Sequence, residues 1–576
     1  MERAKLMTRL WEFQNKFGYI SNEAITEIAQ RLRVSKIEIE SVVSFYHFFH
    51  MQPTGKYIVY LNNSIVSEFK GFSEVKNAFE KETGCSFGKY SENSLFSLFE
   101  TSCIGLSDQE PAALINFYPI TKLTPKKVSK IILHLKNGKD ITEIEDNPKS
   151  TIQYTPPENK TVFFREYTTG NSIKKLKYLS PYEVLDEIEK VNVSGRGGAF
   201  FPTANKWNFS KNAKTAKKYI ICNADEGEPG TFKDKALLNN LPGLVIEGMV
   251  TAGYVTGAEQ GFIYLRAEYK YLIKIIEKQI QKMYEENLLG KNILGIANFN
   301  FDIEIQLGAG AYVCGAETAL IESMEGKRGE PRIRKHFPTQ IGYLGMSTVV
   351  NNVETLAMAA RVIELGSDFF QNIGTIKSKG TKLLSISGDI GKPGIYEIEW
   401  GTTINQILSA EMCQATAPHY VQITGPSGEC INKTEFNRKI SKEDLICGGC
   451  IMVFNRYRSI IQILENFINF FKIESCGSCT PCRAGNQLLL EKIKKIKSGI
   501  ATSKDLEDIK QWGQLMKLTS RCGLGQYAST TFITAIDKFR DYFNLKVSVC
   551  GEDCNIEFDM EKAVTEYDDL IHNTQF

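Results

Sequence analysis

Apolar residues recur at helical spacing through the first fifty positions of the chain. Leu6, Leu10, Phe13 and Phe17 would share one face of a helix, and similar spacing continues through positions 25–32 and 37–42. A short apolar strand is predicted at 57–61 and a further helix at 73–82, and α/β alternation continues to about position 138. This pattern predicts an N-terminal α/β domain over residues 1–145.

The next segments differ in their spacing of apolar residues. Residues 146–160, rich in Pro, Thr, Asn and charge, are predicted to be a linker. Helices alternate with short apolar strands over 161–375, which predicts an α/β sheet domain. Strand-like runs between Gly and Pro turns predict a β-rich module over 376–445. Amphipathic helices return over 446–545, and the acidic tail 546–576 has no clear period. The sequence thus predicts an α/β multidomain protein.

Charge and composition exclude several classes of protein. The 69 Lys and Arg residues nearly balance 67 Asp and Glu residues, so no strong field would recruit nucleic acid or anionic lipid. There is no apolar run of about 18 residues and no apolar signal core near the N-terminus, so we expect no membrane insertion and a cytoplasmic location. Clustered cysteines in such a protein more often hold metal than form disulfides.

The spacing of four cysteines predicts a metal centre. Cys476, Cys479 and Cys482 form a CxxCxxC run, and Cys522 follows 40 residues later. Three close thiolates and one distant thiolate suit the corners of one 4Fe–4S cluster. Zinc also accepts four thiolates, but its structural sites usually come as two CxxC pairs. The spacing favours the 4Fe–4S cluster, and zinc or buried thiols are the alternatives.

A second cysteine group is less informative. Cys447 and Cys450 form a CxxC pair, and Cys550 and Cys554 lie in the tail. These four residues could form another metal site, but nothing in the sequence fixes their relative positions. Unligated thiols are the interpretation that we favour.

A glycine-rich loop lies in the first part of the predicted α/β sheet domain. In SGRGGAFFPTANKW, Gly195, Gly197 and Gly198 would let main-chain N–H groups approach a phosphate, to which Arg196 or Lys206 would add positive charge. The loop lacks the third glycine of a dinucleotide-binding fingerprint, and the chain has no Walker A sequence. The alternative is a glycine-rich turn that binds nothing.

Two further loops carry polar groups at the ends of predicted strands. The acidic segment CNADEGEPG follows the strand KKYII; it is either a surface turn, or Asn223 and Asp225 bond a cofactor while Glu228 contacts a second ligand. The segment GAGAYVCGAET stands at a strand-to-helix junction, where free N–H groups suit phosphate. The amides of Asn351 and Asn352 complete the set.

These four segments and the cysteine set, in this order from about 195 to 522, resemble the flavin- and NADH-binding subunit of respiratory complex I and its relatives. The resemblance implies one FMN in a non-classical Rossmann-like α/β domain, NADH stacked on the flavin, and a 4Fe–4S cluster nearby. It also implies that 376–445 is a ubiquitin-like (SLBB) module and that 446–545 is the helical bundle that bears the cluster.

The resemblance also implies a role for individual residues. FMN would contact Gly195, Gly197, Lys206, Asn223, Asp225, Tyr312, Gly315, Asn351 and Asn352, with Arg196, Gly198 and Glu226 in the same cofactor-binding set. NADH would contact Phe201, Phe209, Glu228, Glu317 and Phe337, with Arg334 near its phosphates; Glu228 and Glu317 are the candidate catalytic residues. The cluster ligands would be Cys476, Cys479, Cys482 and Cys522.

Two departures from the family pattern stand near this site. Phe200 replaces a glycine of the first glycine-rich loop (194–207). Ala316 replaces an acidic residue of the segment GAGAYVCGAET (308–318), which is called the third loop below. A bulky Phe200 is expected to narrow the nucleotide site. A carboxylate lost at position 316 is expected to raise the flavin potential.

The N-terminal region indicates a branch of the family. Residues 1–138 resemble the thioredoxin-like 2Fe–2S subunit of complex I, but its four ligand positions correspond to Asn62, Ser67, Cys103 and Ser107. We therefore expect no 2Fe–2S cluster in this domain. Residues 1–138 are fused to the flavin domain and contain the segments SFYHFF and CIGLSDQEPA. With these features the chain resembles the diaphorase large subunit of cytoplasmic NAD-reducing nickel–iron hydrogenases.

This resemblance implies an oxidoreductase that exchanges hydride between NAD(H) and FMN and single electrons between FMN and iron–sulfur clusters. Its partners would be a ferredoxin-like iron–sulfur subunit and the hydrogenase small and large subunits. The alternatives are the diaphorase of an NAD-dependent formate dehydrogenase, a complex I-like NADH dehydrogenase, and a non-catalytic scaffold with degenerate sites.

Overall fold

The chain begins with three short helices that precede its first sheet. The computed structural model describes residues 2–90, 95–333 and 335–547. Serines cap the second and third helices: Ser21 accepts from the N–H of Ala24, and Ser35 from that of Glu38. The helices are α1 (Leu6–Phe17), α2 (Asn22–Leu32) and α3 (Lys36–Val43). Their apolar faces join a core that contains residues of the central domain and of one face of the sheet that follows them, whereas the other face of that sheet has a core of its own.

A four-stranded sheet forms the rest of the N-terminal domain. Its order is β2-β1-β3-β4, with β1 and β2 parallel and the β1–β3 and β3–β4 pairs antiparallel. The strands are β1 (Tyr57–Asn62), β2 (Phe96–Thr101), β3 (Ala113–Ile115) and β4 (Tyr118–Ile120), and the helices are α4 (Ile65–Glu68), α5 (Phe72–Thr83) and α6 (Pro125–Lys136). Apolar residues of the strands and of α5 and α6 share a separate core.

The central domain contains a wholly parallel sheet in the order β8-β7-β6-β9. Its strands are β6 (Lys218–Ala224), β7 (Gln260–Leu265), β8 (Asp302–Leu307) and β9 (Ser347–Asn352). Its helices are α7 (Asn171–Lys175), α8 (Pro181–Lys190), α9 (Thr203–Lys211), α10 (Lys233–Asn240), α11 (Pro242–Thr256), α12 (Ile273–Glu285), α13 (Glu317–Met324) and α14 (Val353–Leu365). All four strands end at one edge, where open α/β sheets bind their ligands.

The β-rich module is larger than the sequence predicted. Its mixed sheet has the order β13-β12-β14-β10-β11-β5. The strands are β5 (Ile152–Tyr154), β10 (Thr381–Gly388), β11 (Gly394–Glu399), β12 (Pro418–Ile423), β13 (Cys430–Ile431) and β14 (Cys450–Asn455), with one helix, α15 (Ile404–Leu408). Segment 146–160, predicted as a linker, therefore supplies an edge strand, and β14 extends the module past position 445. A three-residue strand with a partner some 240 positions away leaves no local periodicity to detect.

Helices complete the described chain. They are α16 (Ile460–Glu474), α17 (Thr480–Lys497), α18 (Ser503–Thr519), α19 (Gly523–Tyr527), α20 (Thr530–Lys538) and α21 (Arg540–Asn544). Apolar residues of α16, α17 and α18 pack in the same core as α1 and the central domain. The core of this helical bundle is thus continuous with that of the central domain.

One buried carboxylate fastens the connection between the N-terminal and central domains to the β-rich module. Glu397 of β11 accepts hydrogen bonds from the backbone N–H groups of Val162 (2.6 Å), Phe163 (3.0 Å) and Phe164 (3.0 Å). The hydroxyl of Thr381 donates to the same carboxylate. Because buried N–H groups need partners, this side chain fixes the path of the connecting chain.

We predict that Glu397→Gln lowers the free energy of unfolding by about 2–4 kcal/mol, because the amide loses acceptor capacity and brings donors against the N–H groups that it faces. Glu399→Gln on the same strand is the matched control: it removes a half-exposed ion pair with Lys160 and should cost less than about 1 kcal/mol. Urea denaturation followed by circular dichroism measures both. Equal losses would contradict this account of Glu397.

Candidate functional site

The candidate site lies at the edge where β6 and β9 end. The two strands are in register there, so Cys222 lies opposite Asn351 and Asn223 opposite Asn352. The acidic segment leaves β6, the GAGAYVCGAET segment leaves β8, and the first glycine-rich loop precedes α9. The structure therefore brings all four predicted segments to one edge of the sheet.

The first glycine-rich loop is closed at its base and exposed at its tip. Ser194 and Pro202 pair as an isolated bridge, and Gly195 N–H donates to the carbonyl of Phe201 (2.9 Å). A Cβ on Gly197 would stand 3.3 Å from Cβ of Asn352, so the loop lies directly against β9. Gly198 has a φ of +113° with open space beyond it, a conformation that favours glycine. The tip thus presents bare backbone at the sheet edge.

Arg196 does not extend into this edge. The side chain is 3 % exposed, and it donates to Glu354 Oε1 (3.0 Å) and to the carbonyl of Thr381 (2.6 Å). Its backbone N–H donates to the hydroxyl of Thr355. The prediction that Arg196 adds charge at a phosphate therefore needs correction, because a buried carboxylate and a carbonyl already hold the guanidinium.

Glu354 is the centre of a buried ionic cluster that the sequence did not indicate. Its carboxylate pairs with Arg196, with Lys382 at 2.5 Å and with Lys233 at 3.1 Å. Lys233 also pairs with Asp234 (2.6 Å). Burial alone would raise the pKa of Glu354, but Lys382, Lys233 and Arg196 outweigh it and lower the pKa to about 2. This cluster connects the glycine-rich loop, α10, α14 and β10.

The carboxylates of the acidic segment differ in whether they have hydrogen-bond partners. Glu226 accepts from the N–H groups of Asp234 and Lys235 and from the hydroxyl of Tyr269, so it caps α10 rather than facing the edge. Asp225 has a buried Oδ2 without a hydrogen-bond partner among the described residues. Burial raises the pKa of Asp225 to about 8. Asp225 therefore retains unused bonding capacity beside Asn223.

Glu228 joins the acidic segment to the third loop and to the β-rich module. It accepts from the hydroxyl of Tyr312 and from the backbone N–H of Ser427 (2.9 Å). Burial raises the pKa of Glu228 to about 7, and the Tyr312 hydroxyl opposes that shift. A carboxyl group that titrates near neutrality is a common feature of functional sites.

The third loop packs against the acidic segment at two further points. Asn223 Nδ2 donates to the carbonyl of Gly315 (2.9 Å), and a Cβ on Gly315 would stand 3.5 Å from the carbonyl of Asp225. Lys206 of α9 bonds to Glu317, the first residue of α13, and donates to the carbonyl of Val350 (3.0 Å). Lys206, which was predicted to add charge at a phosphate, and Glu317, which was predicted to contact NADH, thus form an ion pair across the edge of the sheet.

The two asparagines at the end of β9 have structural partners. Asn351 Oδ1 accepts from the indole N–H of Trp207 (2.8 Å). Asn352 donates to Asp234 (2.6 Å), and its Oδ1 accepts from the N–H of Glu354 as the N-cap of α14. Their amides hold α9 and the ionic cluster in place, so the structure gives them a supporting role that the sequence prediction lacked.

Three phenylalanines predicted to contact a nucleotide are exposed. Phe201, Phe209 and Phe337 are 43 %, 56 % and 68 % accessible. Exposed aromatic faces are suited to stacking on a planar ring. Arg334, predicted to lie near the phosphates, is outside the described residues.

Phe200 packs away from the bare loop tip. Its φ is +51°, a left-handed conformation that costs a non-glycine residue about 1–2 kcal/mol. Its ring meets Trp400 edge-on at 6.4 Å and joins the core of the β-rich module. A glycine would adopt this backbone without cost, whereas Phe200 offsets the strain by packing. The ring anchors the loop to the module, which differs from the expected narrowing of the nucleotide site.

The four predicted cluster ligands surround one cavity. Cys476, Cys479, Cys482 and Cys522 line it together with Val313, Pro331, Arg521 and Leu524. Cys479 and Cys522 are the N-caps of α17 and α19, where helix dipoles favour negative charge. Arg521 donates to Ser478 (2.8 Å), and Arg483 bonds to the carbonyl of Gly477. Two cations therefore stabilise the cysteine loop beside the cavity.

The third loop separates this cavity from the sheet edge. Val313 lines the cysteine cavity, while the neighbouring Tyr312 bonds to Glu228 at the sheet edge. The backbone N–H of Tyr312 donates to Glu474 (2.8 Å), two residues before Cys476. A single layer of protein chain thus lies between the two candidate centres.

The second cysteine group is only partly described. Cys447 and Cys450 are buried, and their thiols donate to the carbonyls of Cys450 (3.4 Å) and Pro229 (3.6 Å). Cys550 and Cys554 are outside the described residues. Within the described ranges, no three His, Cys, Asp or Glu side chains converge closely enough to hold a single metal ion.

Comparison with protein families supports this organisation. Residues 1–136 match the thioredoxin-like [2Fe-2S] ferredoxin, residues 188–361 the Nuo51 FMN-binding domain, and residues 462–546 the NADH-ubiquinone oxidoreductase-F iron-sulfur binding region. The last range contains all four predicted cluster ligands. These matches confirm the predicted fold class.

Similar proteins extend the comparison over the full chain. The alpha subunit of the NAD-reducing hydrogenase HoxS of Cupriavidus necator is 44 % identical over 100 % of this chain and 97 % of its own length. A chain of the NADH-quinone oxidoreductase of Rhizobium meliloti is 37 % identical over 64 % of this chain and 90 % of its own length. A crystal structure of an H2-reduced NAD+-reducing [NiFe]-hydrogenase superposes with a TM-score of 0.89 at 33 % identity, covering 99 % of this chain and 96 % of that one.

The match over 1–136 contradicts the expectation that the N-terminal domain has no 2Fe–2S cluster, because the matching family is a [2Fe-2S] ferredoxin. That expectation rested on four aligned positions alone. Cys103 Sγ lies 3.5 Å from Ser107 Oγ, and Asn62 bonds to Glu110. Of these four positions only Cys103 carries a thiol, whereas a 2Fe–2S site of this type is held by four cysteines.

None of the helices among the described residues combines the length and the apolar character that crossing a membrane requires.

We predict that Glu354→Gln lowers the free energy of unfolding by about 3–5 kcal/mol, because three buried cations lose their shared anion. Glu465→Gln, which breaks an exposed pair with Lys497, should cost less than about 1 kcal/mol. Thermal unfolding followed by circular dichroism compares the variants.

The comparison of wild type with Glu354→Gln also yields a pH prediction. A carboxyl group with a lowered pKa stabilises the fold above its unfolded pKa, and this contribution is lost as pH falls through the folded value. For Glu354 the window runs from 4.5 down to about 2. The difference in thermal midpoint between the two proteins should therefore narrow as pH falls across that window. A difference that stays constant in acid would contradict this role of Glu354.

Proposed function

The chain belongs to the family of alpha subunits of NAD-reducing hydrogenases, and on that premise we propose that it is the diaphorase subunit of such an enzyme. It is an oxidoreductase that exchanges electrons between NAD(H) and FMN, and between FMN and iron–sulfur clusters that lead to a hydrogenase partner. The observation that carries the proposal is the placement of two candidate centres on opposite sides of the third loop.

Two features of the sheet edge support FMN binding there. The buried Asp225 Oδ2 has no partner among the described residues, and the tip of the first loop offers exposed backbone beside Asn352. Gly195, Gly197, Gly198, Lys206, Asn223, Asp225, Tyr312 and Gly315 are the residues that we propose to hold FMN. When bound, FMN accepts two electrons from NADH as a hydride and passes electrons on singly.

The nucleotide side of the site uses charge and aromatic surface. Glu228 bonds to the third loop through Tyr312, Glu317 begins α13, and exposed Phe201 is available for stacking. Lys206 and Glu317 form an ion pair with each other. A phosphate that binds Lys206 would free Glu317 to accept hydrogen bonds from a second ligand. This pair therefore links the two binding events.

The cysteine cavity fits a 4Fe–4S cluster. It offers four thiols, two helix N-termini and nearby arginines, all of which stabilise a negatively charged centre. The matched iron-sulfur region covers these cysteines, which favours iron and sulfur over zinc. Thr480, Arg483 and Ala484 in the first turn of α17 are exposed, so a partner can approach this side of the cavity from outside.

The extent of the similarity favours the hydrogenase assignment over a complex I-like NADH dehydrogenase. The HoxS alpha subunit of Cupriavidus necator matches the full chain, including the N-terminal domain, whereas the oxidoreductase chain of Rhizobium meliloti covers 64 % of it. We propose a ferredoxin-like iron–sulfur subunit and the hydrogenase small and large subunits as partners, and the cytoplasm as the location. A non-catalytic scaffold would purify without colour, so the visible spectrum distinguishes it.

The decisive experiment is purification from the native cell with the bound partners, followed by metal and flavin analysis. Nickel and iron together with FMN are the expected result. Molybdenum or tungsten without nickel would replace the hydrogenase partner with a formate dehydrogenase. Iron alone, with partners still bound, would favour a complex I-like enzyme.

We predict that Cys522→Ser lowers the iron content by about four atoms per chain while FMN is retained, because the cluster loses a ligand that the flavin loops do not use. Reduction of ferricyanide by NADH should persist, whereas electron transfer to the hydrogenase partner should fall more than about tenfold. Cys85→Ser, in the N-terminal domain, is the control and should retain all iron. Unchanged iron in Cys522→Ser would contradict the assigned ligand.

A further inference from the structure

We propose that the N-terminal helical segment, residues 3–50, positions the third glycine loop for FMN, with Trp11, His47 and Phe48 as positioning residues. The inference rests on the proposed function. It gives this segment a direct role at the flavin site, although its helices lie before the first strand of a different domain.

Three consecutive carbonyl groups of the loop accept hydrogen bonds from this segment. The indole N–H of Trp11 donates to the carbonyl of Gly308 (3.1 Å). The backbone N–H of Phe48 donates to the carbonyl of Ala309 (3.1 Å), and that of His47 donates to the carbonyl of Gly310 (3.0 Å). The donors come from positions some 260–300 residues earlier in the chain. Each carbonyl therefore has a specific partner outside the central sheet.

Aromatic rings fill the space behind the loop. A Cβ on Gly310, where φ is +80°, would come within 2.6 Å of the Phe48 ring. The Trp11 ring meets Phe49 and Phe117 edge-on at 5.2 and 5.6 Å, and it is 5 % exposed. Trp11 and Phe48 are thus buried against the loop, and Gly310 leaves no space for a side chain beside the Phe48 ring.

The segment also holds the far end of the same unit. The hydroxyl of Tyr46 donates to the carbonyl of Lys327 (2.9 Å), and Arg3 Nε donates to that of Gly326 (3.3 Å). A Cβ on Gly326 would stand 2.2 Å from the carbonyl of Arg3. These contacts follow α13, whereas the first three precede it. Gly315 and Glu317, between them, belong to a unit fixed at both ends.

The physical reason for such fixing is the composition of the loop. Glycine loses more backbone freedom on ordering than any other residue, so a loop containing Gly308, Gly310 and Gly315 samples many conformations unless it is tied. When the protein bears that ordering cost during folding, ligand binding does not have to. The N-terminal contacts therefore raise FMN affinity without touching FMN.

Trp11→Phe tests the inference, because it removes one N–H donor and keeps an aromatic ring. We expect the dissociation constant of FMN to rise about two- to tenfold, the effect of one neutral hydrogen bond. The full-length chain is stripped of FMN and titrated with FMN, and quenching of flavin fluorescence gives the affinity. Trp512→Phe, in α18, is the matched control and should bind FMN as the wild type does.

A second variant separates positioning from general stability. Tyr46→Phe removes the contact beyond α13 and should also weaken FMN binding, while iron content stays at the wild-type level in both variants. Wild-type FMN affinity in Trp11→Phe, even with a lower thermal midpoint, would overturn the inference and leave the proposed function standing. A wild-type chain that binds no FMN would overturn both.

Discussion

The ionic cluster around Glu354 is the constraint on which the site depends. A carboxylate in the interior is tolerated only where opposite charges and hydrogen bonds replace water. Here those charges come from three separate parts of the chain: Arg196 in the glycine-rich loop, Lys233 at the start of α10, and Lys382 in β10. Burial lowers the pKa of Lys382 to about 8, and Glu354 opposes that shift. The loop, the helix and the β-rich module are consequently fixed relative to one another.

The third loop separates the two candidate centres by a single layer of chain. The third loop has one face toward the sheet edge, through Tyr312 and Glu228, and the other toward the cysteine cavity, through Val313. A centre that exchanges electron pairs and a centre that exchanges single electrons need close approach without direct contact. One layer of chain between them meets both requirements, and Glu474 ties that chain to the helix that leads into the cysteine loop.

The motifs could be recognised in the sequence, whereas the long-range contacts that hold them in place could not. The four cysteines line one cavity and the four segments meet at one edge of the sheet, and both sets are local patterns in the sequence. Arg196 was expected to add charge at a phosphate and Asn351 to contact FMN, yet both are held by buried partners distant in the chain. Glu354 stands in an ordinary helical stretch, and β5 is three residues long. Long-range pairings of this kind have no signature within a sequence window.

The interleaving of distant segments also sets an order for folding during synthesis. The core of the N-terminal sheet uses residues between 57 and 141, so it can close as soon as that stretch leaves the ribosome. Helices α1 to α3 emerge earlier and bury their apolar faces partly against that sheet and partly against residues beyond 300, and β5 waits for β11. Because domains form from the N-terminus onward as the chain is made, part of this apolar surface and an unpaired strand edge are exposed while about two-fifths of the chain is synthesised. Such a chain would benefit from a chaperone until the first helices find the loop that they hold.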